Sequence, residues 1–511
     1  MAVNLNSVLI SDPVDDQCAK LLTRYEIDVT TKYKLSKEEL IEELQKHDGL
    51  IVRSETKVTA DVIAAAPNLK MIGRAGTGVD NIDVPAATRQ GILVLNTPGG
   101  NSTSACELTC AMIMALARNV VQAGQSMREG RWDRKVYAGR ELEGKCLGVL
   151  GFGRIGREVA ARMKAFGMKV LAYDPLLTPG QFRELGVDNA SVDGVLERAD
   201  YITVHTPLIK ETKDLLNGKN MLKCKKGFCV VNVARGGIIS ESGLLSVLES
   251  GHCGGAGLDV FTEEPPKSAT LLKLIQHPKV IATPHLGAST AEAQTRVAVE
   301  IAEHFLTLSG RTDEFPITGI VNAPSLVAAN NPTNAPWVDL ARKLGIIASK
   351  FIGSKNRNIV VDYCVCGGED KKYVKTALLL GLLTGRVKGE LNLINAQNLA
   401  DELKIKVNEQ SWSDCENVLF VKAGGHEVKG SLACSATVLM SVDNTPFKDY
   451  VCLLQDNISL YKTKTPEDLA KIVTGHIVKS VAISNVSVSG NWVVMQTNNP
   501  VTIPIDGIDS F

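Results

Sequence analysis

Short apolar runs recur along the first part of this chain, at 8–10, 49–52, 71–73 and 92–95, with helix-like stretches at 36–47 and 59–66 between them. Brief apolar runs alternating with helices mark a parallel sheet, because its strands are buried on both faces and are joined by crossover helices. A long helical stretch, 102–119, leads into a second such series, with strands expected at 147–150, 170–173, 201–204, 229–233, 257–260 and 280–282. The pattern predicts two α/β units in tandem. It breaks at 312–337, where Pro316, Pro324, Pro332 and Pro336 with several asparagines read as a linker. Beyond, helices at 339–351 and 395–403 mix with a strand at 359–363, an α+β pattern. The end offers a strand at 458–462, a helix opening at Pro466 and alternating strands at 481–488 and 492–496, which predict a small terminal module.

At 511 residues the chain exceeds what one core holds and is expected to form about three or four domains. Lys plus Arg and Asp plus Glu number 56 each, so there is no basic excess to neutralise phosphates, and neither nucleic acid nor a membrane surface is expected as a partner. No apolar run approaches the ~18 residues that span a bilayer. No basic segment and apolar stretch precede a small-residue cleavage site, so no secretory signal is expected. The 12 cysteines are scattered without metal-ligand spacing. We therefore expect reduced thiols, no metal and a cytoplasmic location.

Gly151-Phe152-Gly153-Arg154-Ile155-Gly156 follows one predicted strand and opens a helical stretch. In that context the first glycine permits a tight turn, the second lets backbone approach a pyrophosphate, and the third lets the helix pack on the sheet. The next strand ends in Asp174, an acid suited to ribose hydroxyls. Pro175, Leu176 and Leu177 follow it, so no arginine is offered to a 2'-phosphate, and NAD is expected rather than NADP.

Three segments at later strand ends carry ionisable groups. Arg235 follows Val231-Asn232-Val233-Ala234, Glu264 stands before Pro265, and His285 follows Thr283-Pro284. Arginine, glutamate and histidine suit hydride transfer at a hydroxy acid: a cation for the carboxylate, a base for the hydroxyl proton and a group that orients the base. In this order after the glycine motif, the set closely resembles the D-isomer-specific 2-hydroxyacid dehydrogenases. The resemblance implies a catalytic Arg235, Glu264 and His285. It also implies a dinucleotide lined by Thr77, Arg154, Ile155, Asp174, Thr206, Val233, Ala234, Asp259, Gly287 and Ala288 beside Gly151, Gly153 and Gly156. The fold it implies is α/β with two doubly wound parallel-sheet domains: a Rossmann cofactor domain, 98–288, inserted into a flavodoxin-like substrate domain, 1–97 and 289–322. The α+β domains at 337–450 and 451–511 follow.

Arg53 and Arg74 also fall at strand ends. One arginine serves a carboxylate, and two more suggest a second anionic group such as a phosphate, unless they pair with Asp80 or another acid. The stretch Arg74-Ala75-Gly76-Thr77-Gly78-Val79-Asp80-Asn81 and the Asn96-Thr97-Pro98 turn resemble those members of the family that take a phosphorylated hydroxy acid. Leu391-Asn392-Leu393-Ile394-Asn395-Ala396 resembles the intervening, allosteric-substrate-binding domain of the family's long forms. The tail resembles a regulatory ACT domain only in strand and helix order, with Pro466-Glu467-Asp468 where Pro-Gly is usual. The resemblance further implies a homodimer or homotetramer through the Rossmann domain, with 102–119 in the contact and Arg134 near the partner's cleft. Two alternatives stay open: a glyoxylate or hydroxypyruvate reductase, and a NAD-sensing corepressor-like binding protein.

Overall fold

The computed structural model describes residues 3–352, 359–365, 371–410, 417–433, 436–447 and 452–454, and beyond them the backbone of four strands within 457–510. In the first unit, β1 (Ser7–Ile10), β2 (Asp28–Thr31), β3 (Gly49–Val52), β4 (Met71–Arg74) and β5 (Leu93–Asn96) form a parallel sheet in the order β2-β1-β3-β4-β5. The sequence pattern anticipates four of these. It misses β2 because an edge strand of sequence Asp28-Val29-Thr30-Thr31 has no fully buried position and therefore no apolar run.

Alternate strand residues point to opposite faces. Val8, Ile10, Ile51, Met71, Leu93 and Leu95 join one core, while Leu9, Leu50, Val52, Ile72 and Val94 join another. The first core is closed by the helix Ala291–Leu308, whose Val297, Ile301 and Phe305 pack there. Burying one such side chain stabilises by roughly 1.5–3 kcal/mol, so this helix is a fixed part of the first unit although it lies some two hundred residues downstream.

The second unit contains β6 (Cys146–Leu150), β7 (Lys169–Tyr173), β8 (Asp188–Asn189), β9 (Tyr201–Val204), β10 (Phe228–Asn232), β11 (Cys253–Leu258) and β12 (Val280–Ala282). All are parallel, in the order β12-β11-β10-β9-β6-β7-β8. The winding reverses between β6 and β9, the point in such sheets where the carboxyl ends open a crevice for ligands.

The stretch expected as a linker is docked. Ile320 bridges Leu95, the Asn322 side chain ties Val94 N–H to Ile92 carbonyl, and Ala323 and Leu326 are buried in the first unit. A third sheet, β13 (Ile359–Val365) to β19 (Cys452–Leu453), is parallel between its first two strands and otherwise antiparallel. The helices Ala335–Ile352 and Lys372–Leu383 share its core. Its Ile394 is buried in the first unit's core and its Asn392 donates to Gly91 carbonyl, 2.9 Å. A fourth sheet, β20 (Asn457–Thr463), β21 (Val478–Ile483), β22 (Asn491–Thr497) and β23 (Asp509–Ser510), is antiparallel in the order β21-β22-β20-β23. The helix expected at Pro466 lies outside the described residues. Among the described residues no single helix is long and apolar enough to cross a membrane.

Candidate active site

At the reversal of the second sheet, Gly151 turns the chain out of β6 with φ +94°, a conformation that favours glycine. Gly156 packs so closely beneath it that a Cβ would lie 2.3 Å from Gly151 carbonyl oxygen. Gly153, between them, faces open space, with nothing within 4 Å of where its Cβ would be, and caps the helix Arg154–Ala165. That leaves the helix N-terminus free to face an anion. Asp174 closes the loop from the end of β7, accepting Phe152 N–H at 2.8 Å and Leu176 N–H at 2.9 Å. Across the crevice, after β9, the Thr206 hydroxyl is buried without a protein partner among the described residues. An open glycine backbone, an acid at the end of the next strand and an unsatisfied hydroxyl fit a dinucleotide.

Asp259 is fully buried, and its carboxylate accepts the Thr283 hydroxyl at 2.5 Å, Leu286 N–H at 2.7 Å and Gly287 N–H at 2.8 Å. Its described contacts are those of an anchor for the 283–287 loop. On that loop His285 adopts φ +56°, fixed by its N–H to Asp259 carbonyl at 2.9 Å. A non-glycine residue held in this region is costly and persists only where its surroundings over-determine it. The ring's Nδ1 lies 2.7 Å from Glu264 Oε2, and Glu264 Oε1 accepts Phe261 N–H at 3.0 Å. Burial pulls the Glu264 carboxyl upward, but the hydrogen bonds with His285 and Phe261 outweigh it and hold it below the ordinary carboxylate value. The glutamate is thus ionised near neutrality and orients the ring, leaving Nε2 directed elsewhere.

The arginines converge from both units. Arg53 follows β3 and Arg74 ends β4, while Arg235 follows β10. Arg53 Nε is buried without a partner among the described residues, and Arg74 Nε donates to Arg53 carbonyl at 3.2 Å. Burial, then the neighbouring Arg235, pushes Arg74 down to about 10, so it stays charged at neutral pH. Asp80 pairs with Arg235, Nε to Oδ2 3.0 Å, rather than with Arg53 or Arg74. Thr77 donates to Asn101 Oδ1 at 2.6 Å at the junction of the units. Ile155 is half-buried at the start of its helix, Val233 is buried and Ala234 half-buried beside Arg235, and Ala288 carbonyl accepts Gln294. Arg154 and Arg134 are exposed, and Arg134 makes no ion pair among the described residues.

Sequence reasoning passed over Asp12. It is buried at the carboxyl end of β1, where its carboxylate accepts Arg53 N–H at 2.6 Å and the Thr56 hydroxyl at 2.5 Å. The signal was available, since an acid directly after a buried parallel strand stands where the other candidates stand.

Residues 110–287 match the family described as D-isomer specific 2-hydroxyacid dehydrogenase, NAD binding domain. The D-3-phosphoglycerate dehydrogenase of Homo sapiens is 46% identical over 91% of this chain and 88% of its own. That of Bacillus subtilis is 42% identical over 82% of this chain and 79% of its own. Among solved structures, the D-lactate dehydrogenase of Aquifex aeolicus, complexed with NAD and lactic acid, superposes with TM-score 0.55 at 29% identity, covering 63% of this chain and all of that one. Fold, site and relatives define an NAD-dependent oxidoreductase of small hydroxy acids. Within that class, the chain belongs to the D-3-phosphoglycerate dehydrogenase family.

Proposed function

We propose that this enzyme oxidises 3-phospho-D-glycerate to 3-phosphohydroxypyruvate with NAD, the opening step of the phosphorylated route to L-serine. The observation that carries this reading is the meeting of Arg53, Arg74 and Arg235 at one cleft beside the His285–Glu264 pair. Reduction of an unphosphorylated oxo acid such as glyoxylate would engage one of these guanidiniums and leave two half-buried charges without a ligand. Burying unneeded charge is costly.

In this proposal Arg235 binds the substrate carboxylate, while Arg53 and Arg74 bind its phosphate. His285 Nε2 accepts the C2 hydroxyl proton, and Glu264 keeps Nδ1 protonated and stabilises the imidazolium that forms. Bound NAD supplies the acceptor for the C2 hydride. Proton and hydride together leave the C2 carbonyl of the product. The test is turnover of substrate carrying deuterium at C2: the label should appear in the reduced cofactor, and its retention in the acid product would overturn the assignment.

Asp174 supports NAD over NADP, because a 2'-phosphate would meet its carboxylate. A like-charge contact costs several kcal/mol at about 1.4 kcal/mol per tenfold, so kcat/KM with NAD should exceed that with NADP by on the order of a hundredfold. Asp174→Ala should narrow the ratio; a wild-type preference for NADP would contradict the assignment.

We further infer that two copies pair through the second unit. Val120, Val121 and Met127 lie exposed on the helix Val120–Arg128, followed by Trp132 at 76% and Val136 at 72% exposure. Exposed apolar side chains gathered along one segment in this way mark an interface. Sedimentation should find a dimer or a tetramer, and Val121→Glu with Trp132→Glu should shift it toward monomer. A monomeric wild-type protein at micromolar concentration would contradict the pairing. The chain is proposed to work in the cytoplasm, in keeping with the free buried thiols of Cys18, Cys106, Cys224 and Cys253.

A further inference from the structure

Two carboxylates reach into the arginine cluster, and they do different work. Asp12 directs every described bond to the turn beginning at Arg53: Arg53 N–H, Thr56 N–H and the Thr56 hydroxyl. Asp80 instead meets a guanidinium. It stands on the turn after β4, in the first unit, and accepts Arg235 Nε at 3.0 Å. Arg235 follows β10, in the second unit, so this ion pair crosses the cleft between the two units.

The rest of the arginine is also located by what surrounds it. Its NH1 donates to Ala234 carbonyl at 2.7 Å, and its guanidinium lies over Gly78, where a Cβ would fall 1.7 Å from NH2. Only glycine at position 78 leaves room for this placement. Arg74 stands close enough for Arg235 to depress its protonation, and Asp80 partly relieves that effect. Like charges held this near repel. The Asp80 carboxylate offsets that repulsion at the Arg235 guanidinium it pairs with.

We propose that Asp80 is a positioning residue: its carboxylate holds Arg235 beside Arg74 across the cleft and so sets the spacing between the carboxylate and phosphate sites. This rests on the assignment of those two sites above. Nε is occupied by Asp80 and NH1 is shared with Ala234, which leaves NH2 and the second NH1 hydrogen for the substrate. The cleft then matches acids with two anionic groups at one separation.

The experiment uses the full-length protein with Asp80→Asn, which keeps the shape and removes the charge at a side chain 64% exposed. An exposed ion pair of up to ~1 kcal/mol corresponds to about fivefold. KM for 3-phosphoglycerate should rise about fivefold, with kcat and the NAD dissociation constant within about twofold of wild type. In an Arg235→Lys background the same change should alter KM by less than about twofold, because Asp80 acts through the guanidinium. Asp80→Glu should recover part of the loss. An unchanged or lowered KM in Asp80→Asn, or an undiminished effect in the Arg235→Lys background, would overturn the proposal. Should wild type turn over a different hydroxy acid, the substrate assignment fails, and the same comparison with that acid still decides the role of Asp80.

Discussion

Replacing His285 with alanine should lower kcat for hydroxy-acid oxidation on the order of a hundredfold or more while NAD affinity stays at its wild-type level. The expectation follows from position: Nδ1 is committed to Glu264 at 2.7 Å, and Nε2 is the ring atom left to take a proton. Since the neutral ring accepts that proton, oxidation should favour alkaline pH, whereas reduction of the oxo acid needs the protonated ring and should peak lower. Glu264 remains ionised across this range, because its hydrogen bonds keep it below the ordinary carboxylate value. Glu264→Gln removes the anion that orients the ring and stabilises the imidazolium, so kcat for oxidation should fall moderately. Near-normal turnover in His285→Ala with NAD binding intact would assign the proton to another group.

The second large effect is expected at the phosphate end. Arg53→Ala and Arg74→Ala should each raise KM for phosphoglycerate roughly ten- to a hundredfold, the range expected when a hydrogen bond to a charged group worth ~1.5–3 kcal/mol is lost. KM for D-glycerate should change far less. Steady-state kinetics with both acids gives the comparison. Equal losses for both would move these arginines to the carboxylate or to the 53–56 turn, which Arg74 also braces through Arg53 carbonyl.

Most of the second unit was legible in the sequence because parallel strands buried on both faces announce themselves as apolar runs: 201–204 and 280–282 match β9 and β12. The three motif glycines were legible because each performs a different steric task, seen in the φ of Gly151, the open space at Gly153 and the contact under Gly156. Edge strands β2 and β8 escaped, since polar, solvated positions carry no such signal. The docking of 312–326 escaped for another reason. Proline and asparagine correctly marked irregular backbone, but Ile320 finds its partner Leu95 more than two hundred residues earlier, and Ala323 and Leu326 join the first unit's core, relations that periodicity does not encode. The same holds for Asp80 and Arg235, 155 residues apart, whose meeting depends on how the two sheets face each other.

The most direct measurement of the central claim is the initial rate of NADH formation by the purified full-length protein with 3-phospho-D-glycerate, compared at equal concentrations with D-glycerate, D-lactate and glycolate. The arginine cluster predicts a kcat/KM for the phosphorylated acid at least ~100-fold above each of the others, as the loss of charge-assisted bonds from two guanidiniums requires. Equal or greater kcat/KM with an unphosphorylated acid would contradict the account.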